Sequence, residues 1–200
     1  MKVTDVVNEI ELVGDQSFPL EKIKTILAKS RPSGMLDNEF VINYLEHNNN
    51  RVIILTDDDK NIAAFAGFQS WNNGKVWQAK NAETFAPYKG RALVARIYKF
   101  AKESLKQSIQ SDVEQTVAGR TLWTKTLPSI GLKPMIFDTS TERVIDPAEF
   151  DLSKLYSDVT TPESIRYSWI IETYDRYSST SLLEEDSILL PLTGLWKTKL

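Results

Sequence analysis

Two hundred residues, 42% hydrophobic and 26% charged, are enough for one globular domain with a substantial core and an appended subdomain. A net charge of −3 argues against wholesale electrostatic binding of nucleic acid and leaves only a local basic patch as a route to it. No apolar run approaches the ~18–20 residues of a membrane span, the N-terminus lacks a signal peptide's apolar stretch, and there is no cysteine for a disulfide or thiolate metal site, so a cytoplasmic protein without membrane attachment is expected.

In chain order, alternating apolar residues place a first strand over Val6 to Val13. Ser17 is a helix cap with Pro19 in the first turn, and Leu20, Ile23, Ile26 and Leu27 make one helical face that Arg31-Pro32-Ser33-Gly34 ends. Asp37 is read as the cap of a second helix with Phe40, Val41, Tyr44 and Leu45 as its buried stripe. His47 and Asn48-Asn49-Asn50 then form its frayed end, which puts the single histidine at the surface, and one His without Cys cannot build the usual zinc site. Arg51 to Leu55 reads as a strand and Asp57 to Asn61 as a hairpin turn.

Ile62 to Trp71 is a nearly continuous apolar run, and a strand apolar on both sides belongs inside a sheet covered on both faces. Asn72-Asn73-Gly74 signals a second hairpin, because Asn and Gly tolerate positive φ, and its second strand runs from Val76 to near Phe85. After Gly90 the period changes: Leu93, Ile97, Phe100, Ala101 and Leu105 recur at helical spacing. Strand, basic glycine-containing turn, helix is an arrangement that can bind an anion, since a helix N-terminus presents unpaired N–H groups and the positive dipole end. Gly90 lets backbone approach a phosphate, and Lys89 and Arg91 supply charge; the alternative is a solvent-facing basic turn. Pro87 removes one N–H from such a cradle.

Farther on, Met135-Ile136-Phe137 reads as a strand, Thr139-Ser140-Thr141 as a turn, and Asp146-Pro147-Ala148-Glu149 as a loop or short helix start. Arg166 to Tyr174 alternates as a strand. Ser179 to Leu200 carries the acidic cluster Glu184-Glu185-Asp186 before Ile188-Leu189-Leu190 and Pro191. The expected organisation is a domain over residues 1–140 with a C-terminal extension, 141–200, packed on it. Trp71, Trp77 and Trp123 should lie around the same sheet, lining a cleft or packing in the core. Hydrolase, NTPase, dinucleotide and zincin signatures are absent.

Tyr88-Lys89-Gly90-Arg91-Ala92 resembles the acyl-CoA pyrophosphate loop of the GNAT superfamily of N-acetyltransferases, whose pattern is Gln/Arg-x-x-Gly-x-Gly/Ala. Gly90 and Ala92 fit it, while Pro87 stands at the Gln/Arg position. Val113 to Val117, followed by Gly119 to Trp123 and Ile130-Gly131-Leu132, resembles that family's later strand and helix, with Leu127 where the family has its acidic Tyr. The resemblance implies an α/β fold with a mixed, largely antiparallel sheet flanked by helices. It implies an acyl-CoA-dependent N-acyltransferase using acetyl-CoA, or another acyl-CoA, on an amine of a small molecule or protein. Lys89, Gly90, Arg91 and Ala92 would then hold the pyrophosphate. Glu83 would be the general base, with Glu114 and Gln115 as alternatives, and Tyr88 or Tyr98 would replace the missing acid. The alternative is a GNAT-like binding or assembly protein without catalysis, which would oligomerise through aromatic residues such as Tyr167, Trp169, Tyr174, Tyr177 and Trp196.

Overall fold

Helix α1 (Leu20–Leu27) turns Ile23 and Ile26 inward, at 0% and 2% exposure, and leaves Lys24 in water. The computed structural model that shows this describes residues 19–71, 76–112, 115–155 and 166–173. The expected strand at Val6 to Val13, the Ser17 cap, the Asn72-Asn73-Gly74 turn, Glu114 and the stretch from Tyr174 to Leu200 lie outside these residues.

Beyond α1 the chain forms β1 (Arg31–Leu36), β2 (Phe40–His47), β3 (Asn50–Thr56), β4 (Ile62–Trp71) and β5 (Val76–Thr84), each antiparallel to the one before it. The expected second helix is therefore absent. Phe40, Ile42 and Tyr44 recur every second residue and face one core, a period that Phe40, Val41, Tyr44 and Leu45 mask when read at helical spacing. The turns decide the outcome: Asp37 and Asn38 both take positive φ, 54° and 57°, and close a tight hairpin instead of capping a helix. Arg31 to Gly34 likewise does more than stop α1, since it forms the exposed edge strand. His47 ends β2 rather than a helix, and its Nε2 is buried without a hydrogen-bond partner.

Helix α2 (Leu93–Glu103) then carries the chain across to β6 (Ser108–Gln110), which lies parallel to β5. A helical stretch follows as α3 (Val117–Thr121), a π turn (Leu122–Thr126) and α4 (Leu127–Ser129). Pro128 gives a reason for the widened turn, because its ring cannot sit against the carbonyl four residues back and it has no N–H to donate. The strand expected at Val113 to Val117 is displaced: β6 ends at Gln110, and Val117 begins α3. β7 (Met135–Asp138), β8 (Arg143–Ile145), short 3-10 turns at Pro147–Glu149 and Leu152–Leu155, and β9 (Tyr167–Ile171) complete the described chain.

The nine strands form one mixed, largely antiparallel sheet in the order β1-β2-β3-β4-β5-β6-β9-β7-β8. β9 enters between β6 and β7 and runs antiparallel to both. One face packs under α1 through Val52, Ile54 and Phe65. The other carries the larger core, where Ile53, Leu55, Ala64, Ala66 and Phe68 meet Leu93, Ile97 and Tyr98 of α2 together with Trp123 and Leu127. β4 is thus interior and covered on both faces, as its two-sided apolar sequence requires. Trp77 and Trp123, at 4% and 3% exposure, are core residues, and the side chain of Trp71 lies outside the described ones.

Candidate functional site

The strand–turn–helix unit places the predicted loop between the end of β5 and the start of α2. The Phe85 N–H donates to the Ala63 carbonyl and prolongs the β4–β5 ladder by one step, after which Tyr88 N–H closes back on the Phe85 carbonyl at 2.8 Å. Gly90 has φ +87° with open space where a Cβ would stand, and Ala92 is left-handed at φ 54°. Ala92 has no side-chain oxygen with which to cap α2, so the first-turn N–H groups of this helix point toward the loop without a capping side chain.

Three side chains of this unit are fastened to neighbouring turns. The Tyr88 hydroxyl donates to Asp57 Oδ2 on the β3–β4 turn. Arg91 donates to Glu39 beside the β1–β2 turn, and its guanidinium lies 4.9 Å from the Phe40 ring centroid. Tyr88 meets the same ring edge-on at 5.8 Å, so Phe40 is held between loop residues. One helical turn on, Arg96 pairs with Asp37 at 3.0 Å. The charges respond to this geometry. Bonding from Tyr88, then from Asn61, holds the Asp57 carboxyl below its usual range, and Asp57 in turn raises the Tyr88 phenol. The Arg91 bond, followed by its charge and that of Arg96, lowers Glu39. Lys89 is exposed.

Glu83 stands one residue before the end of β5, in register with Phe65 and partly buried. No hydrogen bond among the described residues joins it to Tyr88. Tyr98 lies in the core, where burial and then the Asp112 charge raise its phenol. Gln115 sits in a loop rather than on a strand, bonded to Ser111 Oγ at 3.0 Å. Beside the loop, on the α1 side, a cleft of about 560 Å³ is lined by Leu20, Leu27, Ile62 and Phe85 and by Lys24 and Lys60.

A second polar centre was not expected. β5 pairs with β6 only over Val76 to Gln78. Where that pairing ends β5 bulges: Gly67 opposes Asn81 and Phe68 opposes Ala79, leaving Lys80 as the extra residue. Lys80 reaches across to Asp112, just past β6, and Gln78 donates to the same carboxylate at 3.2 Å. The displaced strand explains the miss. With that strand expected at Val113 to Val117, its candidate polar residues are Glu114 and Gln115, whereas β6 ends at Gln110 and Asp112 follows it.

No family model matches this sequence, and no curated protein does. Among solved structures, it is similar to a spermidine N-acetyltransferase SpeG chimera from Vibrio cholerae and hSSAT, at 10% identity over 86% of this chain and 93% of that one, with a TM-score of 0.40. It is also similar to mutant forms of the Vibrio cholerae spermidine/spermine N-acetyltransferase SpeG (9% identity, 86% and 89% covered, TM-score 0.39). The manganese complex of that enzyme is similar at 11% identity, 86% of each chain and a TM-score of 0.37. In element order this chain has an antiparallel meander, a basic loop, a helix, and a strand parallel to the one before the loop.

Proposed function

We propose that this chain is an acyl-CoA-dependent N-acyltransferase, with acetyl-CoA or another acyl-CoA as co-substrate and an amine of a small molecule or protein as acceptor. The observation that carries this reading is the parting of β5 from β6 beyond Gln78, upstream of an open glycine turn at the start of α2. The five residue steps from Lys80 to Phe85 span about 16 Å at the strand rise, a length that an extended pantetheine arm covers. The loop fits a pyrophosphate at Gly90, where nothing crowds the backbone, at the uncapped N–H groups of α2, and at Lys89 and Arg91. Pro87 supplies no donor, and Arg91 must exchange Glu39 for phosphate. Bound acyl-CoA would supply the activated acyl group. The protein's part is to orient the amine and to meet developing negative charge with backbone N–H groups. Glu83 is assigned the proton from the amine, and Tyr88, after release from Asp57, a proton for the leaving thiol.

A second reading, a GNAT-like binding or assembly protein without catalysis, is favoured by one fact: Tyr88 and Arg91 are already bonded to Asp57 and Glu39. Calorimetric titration of CoA into wild type, Gly90→Glu and Lys89→Glu separates the two. The enzyme reading expects wild type to bind and both variants, checked as folded by melting temperature, to weaken at least about tenfold from like-charge contact. Equal binding by all three would show the loop misassigned. No binding by wild type, together with an oligomer in light scattering, would leave the assembly reading.

A further inference from the structure

Lys80 is an amine built into the place where the two central strands part. As the extra residue of the β5 bulge it has no partner in β4. Its Nζ donates to both oxygens of Asp112, at 3.1 and 3.2 Å, and Gln78 Nε2 steadies Oδ1 of the same carboxylate at 3.2 Å. Asp112 follows an anchored residue. Its neighbour Ser111 donates N–H to the Trp169 carbonyl at 2.8 Å, and Ser111 Oγ accepts from the Trp169 N–H at 3.0 Å, which sews this segment to β9. The Lys80 and Asp112 side chains are only 18% and 23% exposed. A primary amine is therefore held against a proton acceptor, largely out of water, at the gap where the proposed acyl-CoA reading puts the thioester.

We infer that Lys80 is an internal acceptor and that the chain acylates it from bound acyl-CoA. This rests on the acyl-CoA reading of the loop. Asp112 takes one proton from the Lys80 ammonium and passes it to solvent. The neutral Nζ attacks the thioester carbonyl carbon, the new C–N bond forms as the C–S bond breaks, and the second nitrogen proton goes to the departing sulfur. The products are an amide on Lys80, free CoA thiol and one released proton. Acylation removes the Lys80 charge, so the ion pair to Asp112 ends, while Gln78 still donates to the Asp112 carboxylate.

The test is to incubate the full chain with acetyl-CoA, follow intact mass, and map acetylated peptides over time, with CoA binding measured in parallel by calorimetry. Uncatalysed labelling follows exposure and would favour Lys133, whose side chain is 76% exposed. The inference expects one acetyl group per chain, on Lys80, forming about a hundredfold faster than on Lys133, the low end for a positioned base. Asp112→Asn should still bind CoA and lose that preference, and Lys80→Arg should bind CoA and show no single-site label. CoA binding with Lys133 labelled ahead of Lys80 would overturn the inference and leave the acyl-CoA reading standing. Absence of CoA binding would remove both.

Discussion

The Tyr88 hydroxyl donates to the Asp57 carboxylate, and this one bond ties the loop before α2 to the β3–β4 turn. Asp57 is lowered, first by Tyr88 and then by Asn61, and a lowered carboxylate contributes stability that is present above its unfolded pKa and lost as pH falls through its folded one. Tyr88 is raised, so its contribution is complete below its unfolded pKa and lost as pH rises through the folded one. The bond should therefore act fully between about pH 4 and about pH 10. Tyr88→Phe is expected to lower the melting temperature at pH 7 and to approach wild type only in strong acid, as pH falls below the ordinary carboxylate range. A gap of the same size at pH 7 and in strong acid would contradict this.

Asp138 makes the clearest structural carboxylate contact. It is 4% exposed and accepts from Arg166 Nε at 2.8 Å and Nη2 at 2.6 Å, and from the Ser140 hydroxyl at 2.7 Å. Arg166 first, then Ser140 and Thr141, hold its carboxyl well below the usual range despite burial. Asp138→Asn keeps the shape and removes the charge, and should cost about 1–2 kcal/mol in urea denaturation at pH 7, since Arg166 remains partly solvated. By the sign of the shift, wild type loses this advantage only as pH falls below the ordinary carboxylate range, so the two midpoints should approach each other in strong acid.

Phe68 tests the core that positions α2. It is 1% exposed, with the Trp77 and Tyr98 rings at 5.5 and 5.4 Å. Phe68→Ala should cost about 3–5 kcal/mol, because the cavity lies between a β-sheet and a helix and cannot collapse fully. A chemical denaturation midpoint unchanged by this substitution would mean that β4 and α2 do not pack as described.

The sequence was legible wherever one period dominated. β4, with apolar residues on both sides, and α2, with its three- and four-residue spacing, are where they were expected. Asp57 to Asn61 closes the turn before β4, with Asp57 accepting from the Asn61 N–H at 2.7 Å. Phe40 to His47 was not legible, since its residues satisfy both the helical and the strand period and the choice fell to the left-handed pair Asp37-Asn38. β6 was missed because a three-residue strand is too short to show any period. That miss hid Lys80 and Asp112, whose meeting depends on a bulge in one strand and the end of another, separated by 32 positions. The place of the loop between a strand and a helix was legible, but the partners of its side chains were not: Glu39 and Asp57 are distant in sequence and unremarkable in composition.

Glu39 supplies the last prediction. It occupies Arg91 on the exposed side of the loop, so an anion that needs Arg91 must first compete with a carboxylate already in place. Glu39→Gln removes the competing charge while keeping a group able to hydrogen-bond. If the loop takes the pyrophosphate of an acyl-CoA, calorimetry should find CoA bound about two- to fivefold more tightly by this variant, the range that an exposed ion pair covers. The gain should be greatest at low ionic strength and fade with added salt, because both the competing pair and the incoming phosphate are screened. Arg91→Gln should act in the opposite direction. If Glu39→Gln instead weakens CoA binding, Glu39 holds Arg91 in its productive orientation rather than competing for it, and the competition argued for this pair fails.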